Sequence, residues 1–406
     1  MSSNETDASV CGAHPVNVND TRSGAGGPDP IPAVPRVLAL APSEGLGGGI
    51  ERYLQWLLGC LEDGGAPVTT VALLESSHRR GLQKIRYLLR SMQAVRREKR
   101  TDHPTVVIVG HPSLALAALT AIRFFGSRRF RVYTLYYGAD VWCLGTVEKM
   151  LLSRSDMTSV TISCFTAGAL PGASNASVLL PGFRPEWFEA LVAAHAHRPS
   201  ADPPRVSVSS VFRLEDSEAK GAYVLVAACA ALRAAGHQLT LTFAGSGSPP
   251  HELLKLTSEH PWVTVVRDPT DVDLAELYAS SDVFVLATRT VMAGAVSGEG
   301  FGIVLVEAQL TGTPVIAPAF GGSASAYLEG ITGLQPADES VEALCLTIAT
   351  LVDDRPTLEQ MGRNAHQWAS KRFDPARSRE EAIELLLGKK VGFRSGPLRV
   401  EVIPNR

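Results

Sequence analysis

From Arg36 onward, short apolar runs alternate with loops and with segments whose apolar residues recur at helical spacing. The first run is Val37 to Ala41. It is followed by a segment with Ile50, Tyr53, Leu54, Leu57 and Leu61 on one helical face. Further runs predict strands at Val68–Leu74, Thr105–Val109, Arg131–Leu135, Val160–Ser163 and Ser177–Leu180. This rhythm of strand and helix predicts a parallel sheet covered on both faces. It breaks at residues 195–204, HAHRPSADPP, which read as a linker. A second series follows: Val206–Val211, Leu239–Ala244, Val263–Val266, Val283–Ala287 and Pro314–Ala317. A last amphipathic helix is expected from about Asp374 to Leu387.

The expected organisation is a polar tail over 1–34, a first Rossmann-like domain over 35–194 and a linker over 195–204. A second Rossmann-like domain covers 205–373, a terminal helix returning toward the first domain covers 374–388, and a tail covers 389–406. In open sheets of this kind, ligands sit at the carboxyl ends of the strands. Two such sheets would face each other across a cleft.

Composition narrows the function. Apolar residues make up 45% of the 406 positions and charged residues 19%, which excludes a disordered, collagenous or coiled-coil chain. Lys and Arg total 38 against 41 Asp and Glu, a net charge of −3, so the molecule is not built to coat nucleic acid. The six cysteines form no C-x-x-C pair, which indicates neither a zinc site nor a disulfide framework and fits a reducing cytoplasm. Arginine far outnumbers lysine, the compositional trace of a GC-rich bacterial genome. The start of the chain lacks the basic and apolar regions of a signal peptide. The longest mostly apolar stretch, Ser113 to Phe125, is broken by Arg123 and falls short of the roughly 20 residues of a membrane helix.

Four clusters can carry chemistry. Gly45 to Arg52, with Gly47, Gly48 and Gly49, follows the first strand and opens a helix, a place where backbone N–H groups favour an anion. The spacing is not G-x-G-x-x-G, which argues against a nicotinamide dinucleotide. Phe212 to Gly221 places Arg213 and Lys220 on one loop after a strand, where they would flank a phosphate or pair with Glu215, Asp216 and Glu218. Gly245 and Gly247 form a turn at another strand end. Ser297 to Ala308 brackets Glu299 with glycines, opens a helix at Gly302 and Ile303, and places Glu307 just over one turn inside it. Glu307 there can accept hydrogen bonds from two vicinal hydroxyls, as a ribose offers.

Glu299-Gly300-Phe301-Gly302 with Glu307 resembles the E-x(7)-E motif of the retaining glycosyltransferases of family 4, which have the GT-B fold. The neighbouring segments are similar too. Val208 to Gly221 resembles the family's V-G-R-L…K-G loop, with Phe212 in place of the usual glycine. Ala244 to Gly247 resembles its G-x-G turn, and Asp273 to Leu286 its L-x-x-L-Y-x-x-A-D-V-F-V-L-P segment. Gly312 to Ala317 and Gly321-Gly322 fit as well. The resemblance runs from about Val206 to Phe373. In the first domain it is confined to Gly47 to Tyr53, His111-Pro112 and Tyr137 to Trp142.

The resemblance implies a nucleotide sugar in the second domain. Glu307 would bind the ribose, and Arg213 and Lys220 would stabilise the departing diphosphate. Glu299 and the backbone of Gly300, Phe301, Gly302 and Ile303 would hold the sugar. Gly47, Gly48 and Gly49 would close over the donor, His111 would lie near sugar and acceptor, and Asp268 would lie near the base. Tyr137 stands where many relatives carry histidine, and with Asp140 it falls on the acceptor side. No metal or other cofactor is expected, because Asp271-Val272-Asp273 reads as a helix start. The donor is expected to be a UDP-, GDP-, ADP- or dTDP-sugar, and the acceptor a sugar, a lipid-linked glycan or a natural product. Two alternatives stay open on these residues: a sugar-nucleotide epimerase of the same fold, and a non-catalytic nucleotide-sugar-binding subunit.

Residues 79–100 hold nine basic residues and one acid, Glu98. Leu82, Ile85, Leu89, Met92 and Val95 recur at helical spacing and are expected on one face. The stretch reads as a core-facing helix with a basic back, as a peripheral contact with an anionic membrane at the inner face of the plasma membrane, or as a binding face for an anionic acceptor or protein.

Overall fold

The computed structural model describes residues 34–44, 49–75, 83–101, 103–125, 130–142, 144–152, 154, 157–172, 176–198, 205–292, 295–296 and 298–388. Both tails, Gly47 and Gly48 of the first glycine loop, the start of the basic stretch and residues 199–204 of the linker lie outside the described residues.

The strands are β1 (Arg36–Glu44), β2 (Val68–Glu75), β3 (Thr105–Val109), β4 (Phe130–Tyr136), β5 (Met157–Thr161), β6 (Ala176–Val178), β7 (Arg205–Val211), β8 (Gln238–Gly245), β9 (Val263–Arg267), β10 (Val283–Val285), β11 (Val291–Met292), β12 (Ala295–Val296), β13 (Val315–Ile316) and β14 (Gly333–Leu334). The helices are α1 (Gly49–Asp63), α2 (Gln83–Lys99), α3 (Ala115–Phe125), α4 (Ala139–Trp142), α5 (Thr146–Leu152), α6 (Cys164–Ala169), α7 (Pro185–Ala196), α8 (Ala222–Ala234), α9 (His251–Glu259), α10 (Asp271–Ser280), α11 (Ile303–Leu310), α12 (Val341–Val352), α13 (Arg355–Arg372) and α14 (Pro375–Leu387).

The strands form two six-stranded parallel sheets, ordered β2-β1-β3-β4-β5-β6 and β14-β13-β10-β7-β8-β9, and a small antiparallel β11-β12 hairpin. Helices on both faces explain the unbroken apolar strands, since all five residues of β3 are buried. Each sheet reverses its strand order once, between β1 and β3 and between β7 and β10. The loops leaving these strands are the expected binding places.

Two helices cross between the halves. α7 ends the first half of the chain, yet it packs on α10 and α11 of the second. α14 ends the second half, yet it packs on α1 of the first. There Tyr133 donates to the Leu385 carbonyl at 3.2 Å, and Ile383, Leu386 and Leu387 are buried. Asp374 caps α14 by accepting the Arg377 N–H, Pro375 begins it and Gly388 ends it with φ 70°. Phe373, fully buried, joins the cores by edge contacts with Phe183 and Phe301.

Two expectations need correction. His195 and Ala196, read as linker, are the last residues of α7. His195 stacks on His366 with ring centroids 3.7 Å apart and bonds the Thr311 carbonyl at 3.1 Å, so tertiary contacts extend the helix past the end of its apolar pattern. On α2 the buried positions are Tyr87, Ser91, Val95 and Glu98, while Ile85 and Leu89 are 61% and 54% exposed. An ion pair turns this helix: Glu98, 4% exposed, meets Arg36 of β1 at 2.7 Å. With Tyr87 and small Ser91 against the sheet, the Ile85–Leu89 edge points outward.

Candidate active site

The second sheet's switch point gathers the charged groups. Arg213 leaves β7 as the residue before a short turn, Leu214–Asp216, and its exposed guanidinium has no ion pair or hydrogen bond among the described residues. It does not pair with Glu215, Asp216 or Glu218. Lys220, on the same loop, reaches across to the segment after β10, and its Nζ lies 2.8 Å from Oε2 of Glu299. Thr288 donates to the same oxygen at 3.0 Å. Burial pushes the Glu299 carboxyl up, but the Lys220 charge, its hydrogen bond, Thr288 and the Phe301 backbone together hold it below the usual glutamate value.

Gly302 is the residue before α11, so the N–H groups at the start of this eight-residue helix lie beside Glu299. Phe301 is buried and anchors the loop in the joint core. Glu307 sits on α11 with both oxygens engaged. Trp187 of α7 donates its indole N–H to Oε1 at 3.0 Å, and Tyr278 of α10 donates its hydroxyl to Oε2 at 2.7 Å. Burial raises the Glu307 carboxyl, against the lowering effect of these two donors and of Arg52. Arg52 belongs to α1, so the helix opened by the first glycine loop faces Glu307 from the other half. Gly49, its first residue, is exposed with open space beside it.

Gly245 and Gly247 lie next to this group. A side chain on Gly245 would collide with the Phe212 carbonyl, so β8 can pass the Arg213 loop only with glycine there. Phe212 itself is buried against Phe243. Asp268 has φ 47° and accepts the Gly247 N–H at 3.2 Å, which ties the loop after β9 to the Gly245–Gly247 turn. Asp271 and Asp273 begin α10: Asp273 accepts both the N–H and the hydroxyl of Thr270 in a capping box.

The first sheet contributes His111 and Tyr137 from the loops after β3 and β4. His111 Nδ1 accepts the Ser113 N–H at 3.3 Å and contacts the Ser113 hydroxyl at 2.9 Å. This geometry assigns the ring proton to Nε2 and leaves that atom as a donor. Burial lowers the His111 imidazole, opposed by Asp140 and Glu148, which favours the neutral ring. Both oxygens of Asp140 accept the Tyr137 N–H, at 2.9 and 3.0 Å. Burial raises the Asp140 carboxyl, against these bonds and the His111 charge. The Tyr137 ring turns inward, edge-on to Tyr53 at 5.6 Å, and its hydroxyl is buried without a hydrogen bond.

The halves touch backbone to backbone. A Cβ on Gly138, whose φ is 116°, would lie 2.5 Å from the Gly300 Cα, and one on Gly300 would strike the Tyr137 carbonyl. Trp142 lies over Gly298. Cys164 donates its backbone N–H to the Ser325 hydroxyl at 3.3 Å. The structure therefore brings Lys220, Glu299 and Gly300 together with Gly138, and Glu307 together with Arg52. Sequence reasoning missed Trp187 and Thr288 as site residues. Neither lies in a motif, and Trp187 is far from Glu307 along the chain. Tyr278 carried a signal in its position after Leu277.

This two-sheet architecture is that of the GT-B glycosyltransferases. Residues 204–368 match the family described as Glycosyl transferases group 1. The chain is 28% identical over 358 residues to the GDP-mannose-dependent alpha-(1-6)-phosphatidylinositol monomannoside mannosyltransferase of Mycobacterium tuberculosis, covering 80% of this chain and 91% of that protein. It is 25% identical over 314 residues to the glycogen synthase of the same species, covering 73% of this chain and 71% of that protein. Anabaena HepE, solved in complex with UDP and glucose, superimposes with a TM-score of 0.62 at 18% identity, over 87% of this chain and 99% of that one. That likeness is one of fold.

Proposed function

We propose that the chain is a retaining glycosyltransferase that moves a sugar from a nucleotide-sugar donor to an acceptor hydroxyl without a metal ion. One observation carries the reading: a cation, an acid and a helix start converge where the second sheet reverses its strand order. Arg213, Lys220 and the α11 N–H groups supply positive potential where a diphosphate gains charge on leaving. Glu307, with lone pairs left on both oxygens, takes the ribose hydroxyls, and Asp268 lies toward the base. Glu299 and the Gly300–Ile303 backbone hold the sugar. His111 donates from Nε2 on the acceptor side.

With Glu307 committed to ribose, a single carboxylate, Glu299, remains near the sugar, and it is neutralised by Lys220. A two-carboxylate double displacement therefore lacks its second member. The bond from the anomeric carbon to the phosphate oxygen breaks, and the acceptor oxygen bonds the same face. The acceptor proton passes to the departing phosphate. The test is a thermal-shift panel of UDP-, GDP-, ADP- and dTDP-sugars, followed by NMR of the product anomer. A product of inverted configuration, or no nucleotide that stabilises the protein, would sink the proposal.

The acceptor side fits a lipid-linked saccharide. Arg86, Arg96, Arg97 and Arg123 are exposed, as are Ile85, Leu89 and Leu116, on the adjacent helices α2 and α3. Such a mixed basic and apolar face suits an anionic bilayer surface. Salt-sensitive sedimentation with anionic vesicles is expected. Equal recovery in the supernatant with and without vesicles at low salt would refute it.

A further inference from the structure

The second sheet has a back as well as a cleft side. At the amino ends of its strands lies a cavity of about 400 Å³, bounded by α7, α10, the start of β7 and α13. β7 runs seven residues from this cavity toward the Arg213 loop, so the two places are about 20 Å apart. None of the groups assigned to the reaction lines it.

Four guanidinium groups do: Arg198, Arg205, Arg355 and Arg363. Two carboxylates, Asp282 and Glu359, face them. Among the described residues four cations thus face two acids. Both acids serve Arg355, at 2.9 and 3.7 Å, and its Nε is buried without a hydrogen bond. Arg198 holds neutral oxygens only, the Thr313 hydroxyl and the Ser281 carbonyl, each at 2.6 Å. Burial, with the like charge of Arg355 adding to it, lowers the Arg198 guanidinium against the pull of Asp282. Arg363 reaches only the Gln360 amide oxygen, at 2.7 Å, and Arg205 has no partner among the described residues.

Arg205 and Arg363 are exposed and Arg198 is half-buried, so an anion in the cavity would meet guanidinium groups that no carboxylate occupies among the described residues. Guanidinium forks suit a phosphate's oxygens better than a monovalent halide. The volume exceeds what a bare phosphate fills, and Leu358 supplies an apolar wall for a carbon body. We propose that this cavity binds a small phosphomonoester at a second site, its phosphate seated among Arg198, Arg205 and Arg363. The site is independent of the cleft and of the reaction assigned there.

The test is calorimetric titration of the full chain with ribose 5-phosphate and with inorganic phosphate, with sodium chloride matched for ionic strength. The variants are R205A/R363A, the charge reversal R205E, and E307A, which empties the cleft. Arg205 and Arg363 make no ion pair, so an unchanged melting temperature without ligand is expected for their variants. The result expected is binding of ribose 5-phosphate that R205A/R363A weakens at least about tenfold. R205E abolishes it, and E307A leaves it unchanged. No binding beyond the chloride control would overturn the proposal. So would binding that E307A removes and R205A/R363A retains, because the phosphate would then lie in the cleft.

Discussion

Trp187 and Glu307, on helices from opposite halves of the chain, meet at 3.0 Å through the indole N–H and Oε1. With Tyr278 on the other oxygen, the carboxylate is fixed in rotation before any ligand arrives. Replacing Trp187 with Phe keeps an aromatic ring and removes the donor. A hydrogen bond to a charged group contributes about 1.5–3 kcal/mol, so donor KM is expected to rise by roughly tenfold or more. Initial-rate kinetics check this, with kcat nearly unchanged. Glu307→Ala should abolish the thermal shift from the cognate nucleotide altogether.

Lys220 compensates Glu299 and, in the proposed reaction, the leaving diphosphate. Lys220→Met is expected to lower kcat on the order of 10²- to 10³-fold. Circular dichroism should show an intact fold. An effect confined to KM would remove Lys220 from the chemistry.

The same pair sets a pH dependence. Glu299 binds its proton less tightly in the folded chain than a free glutamate, whose value is 4.5. Its ionised form therefore contributes stability that is present above about that pH and is lost as the pH falls through the lower folded value. Chemical denaturation of the unaltered chain and of K220M across this window should show their stability difference shrinking toward acid. A difference that grows toward acid would contradict the sign.

Gly138 and Gly300 leave no room for a methyl group at the junction of the halves. Gly138→Ala should hold the cleft ajar. Misplacing reacting groups by an ångström can cost on the order of 10²-fold in rate, and a loss of that order is expected. Nucleoside diphosphate affinity should change little, because its proposed contacts lie mainly on the second half. X-ray scattering should report a larger radius of gyration.

Chelation is expected to leave turnover unchanged, since Arg213, Lys220 and the start of α11 provide the compensating charge. Activity lost in EDTA and restored by magnesium would contradict this.

The alternating apolar runs made both sheets legible, because strands covered on both faces must be apolar throughout. Glu299, Glu307, Arg213 and Lys220 stood out as candidates because glycines and helix starts frame them. What stayed hidden depends on contacts distant along the chain. β14 has two residues and no run of its own. The buried face of α2 is turned by the pairing of Glu98 with Arg36, which no periodicity within the helix encodes. Trp187 sits in a helix of ordinary composition, and only the crossing of α7 over α11 gives it a partner. Gly138 lay in the Tyr137–Trp142 segment singled out by resemblance, but only Gly300 standing against it gives the physical reason for glycine there.

The exchange of α7 and α14 bears on recombining such molecules. A hybrid spliced at residues 195–204 would part Glu307 from its own Trp187. It would also lay a foreign α14 on α1. Swaps that respect neighbours in space must move one continuous segment, from α7 through the carboxy-terminal sheet, and leave the last helix behind. Breeding new donor and acceptor combinations is thus a matter of two cuts, where the order of residues suggests one.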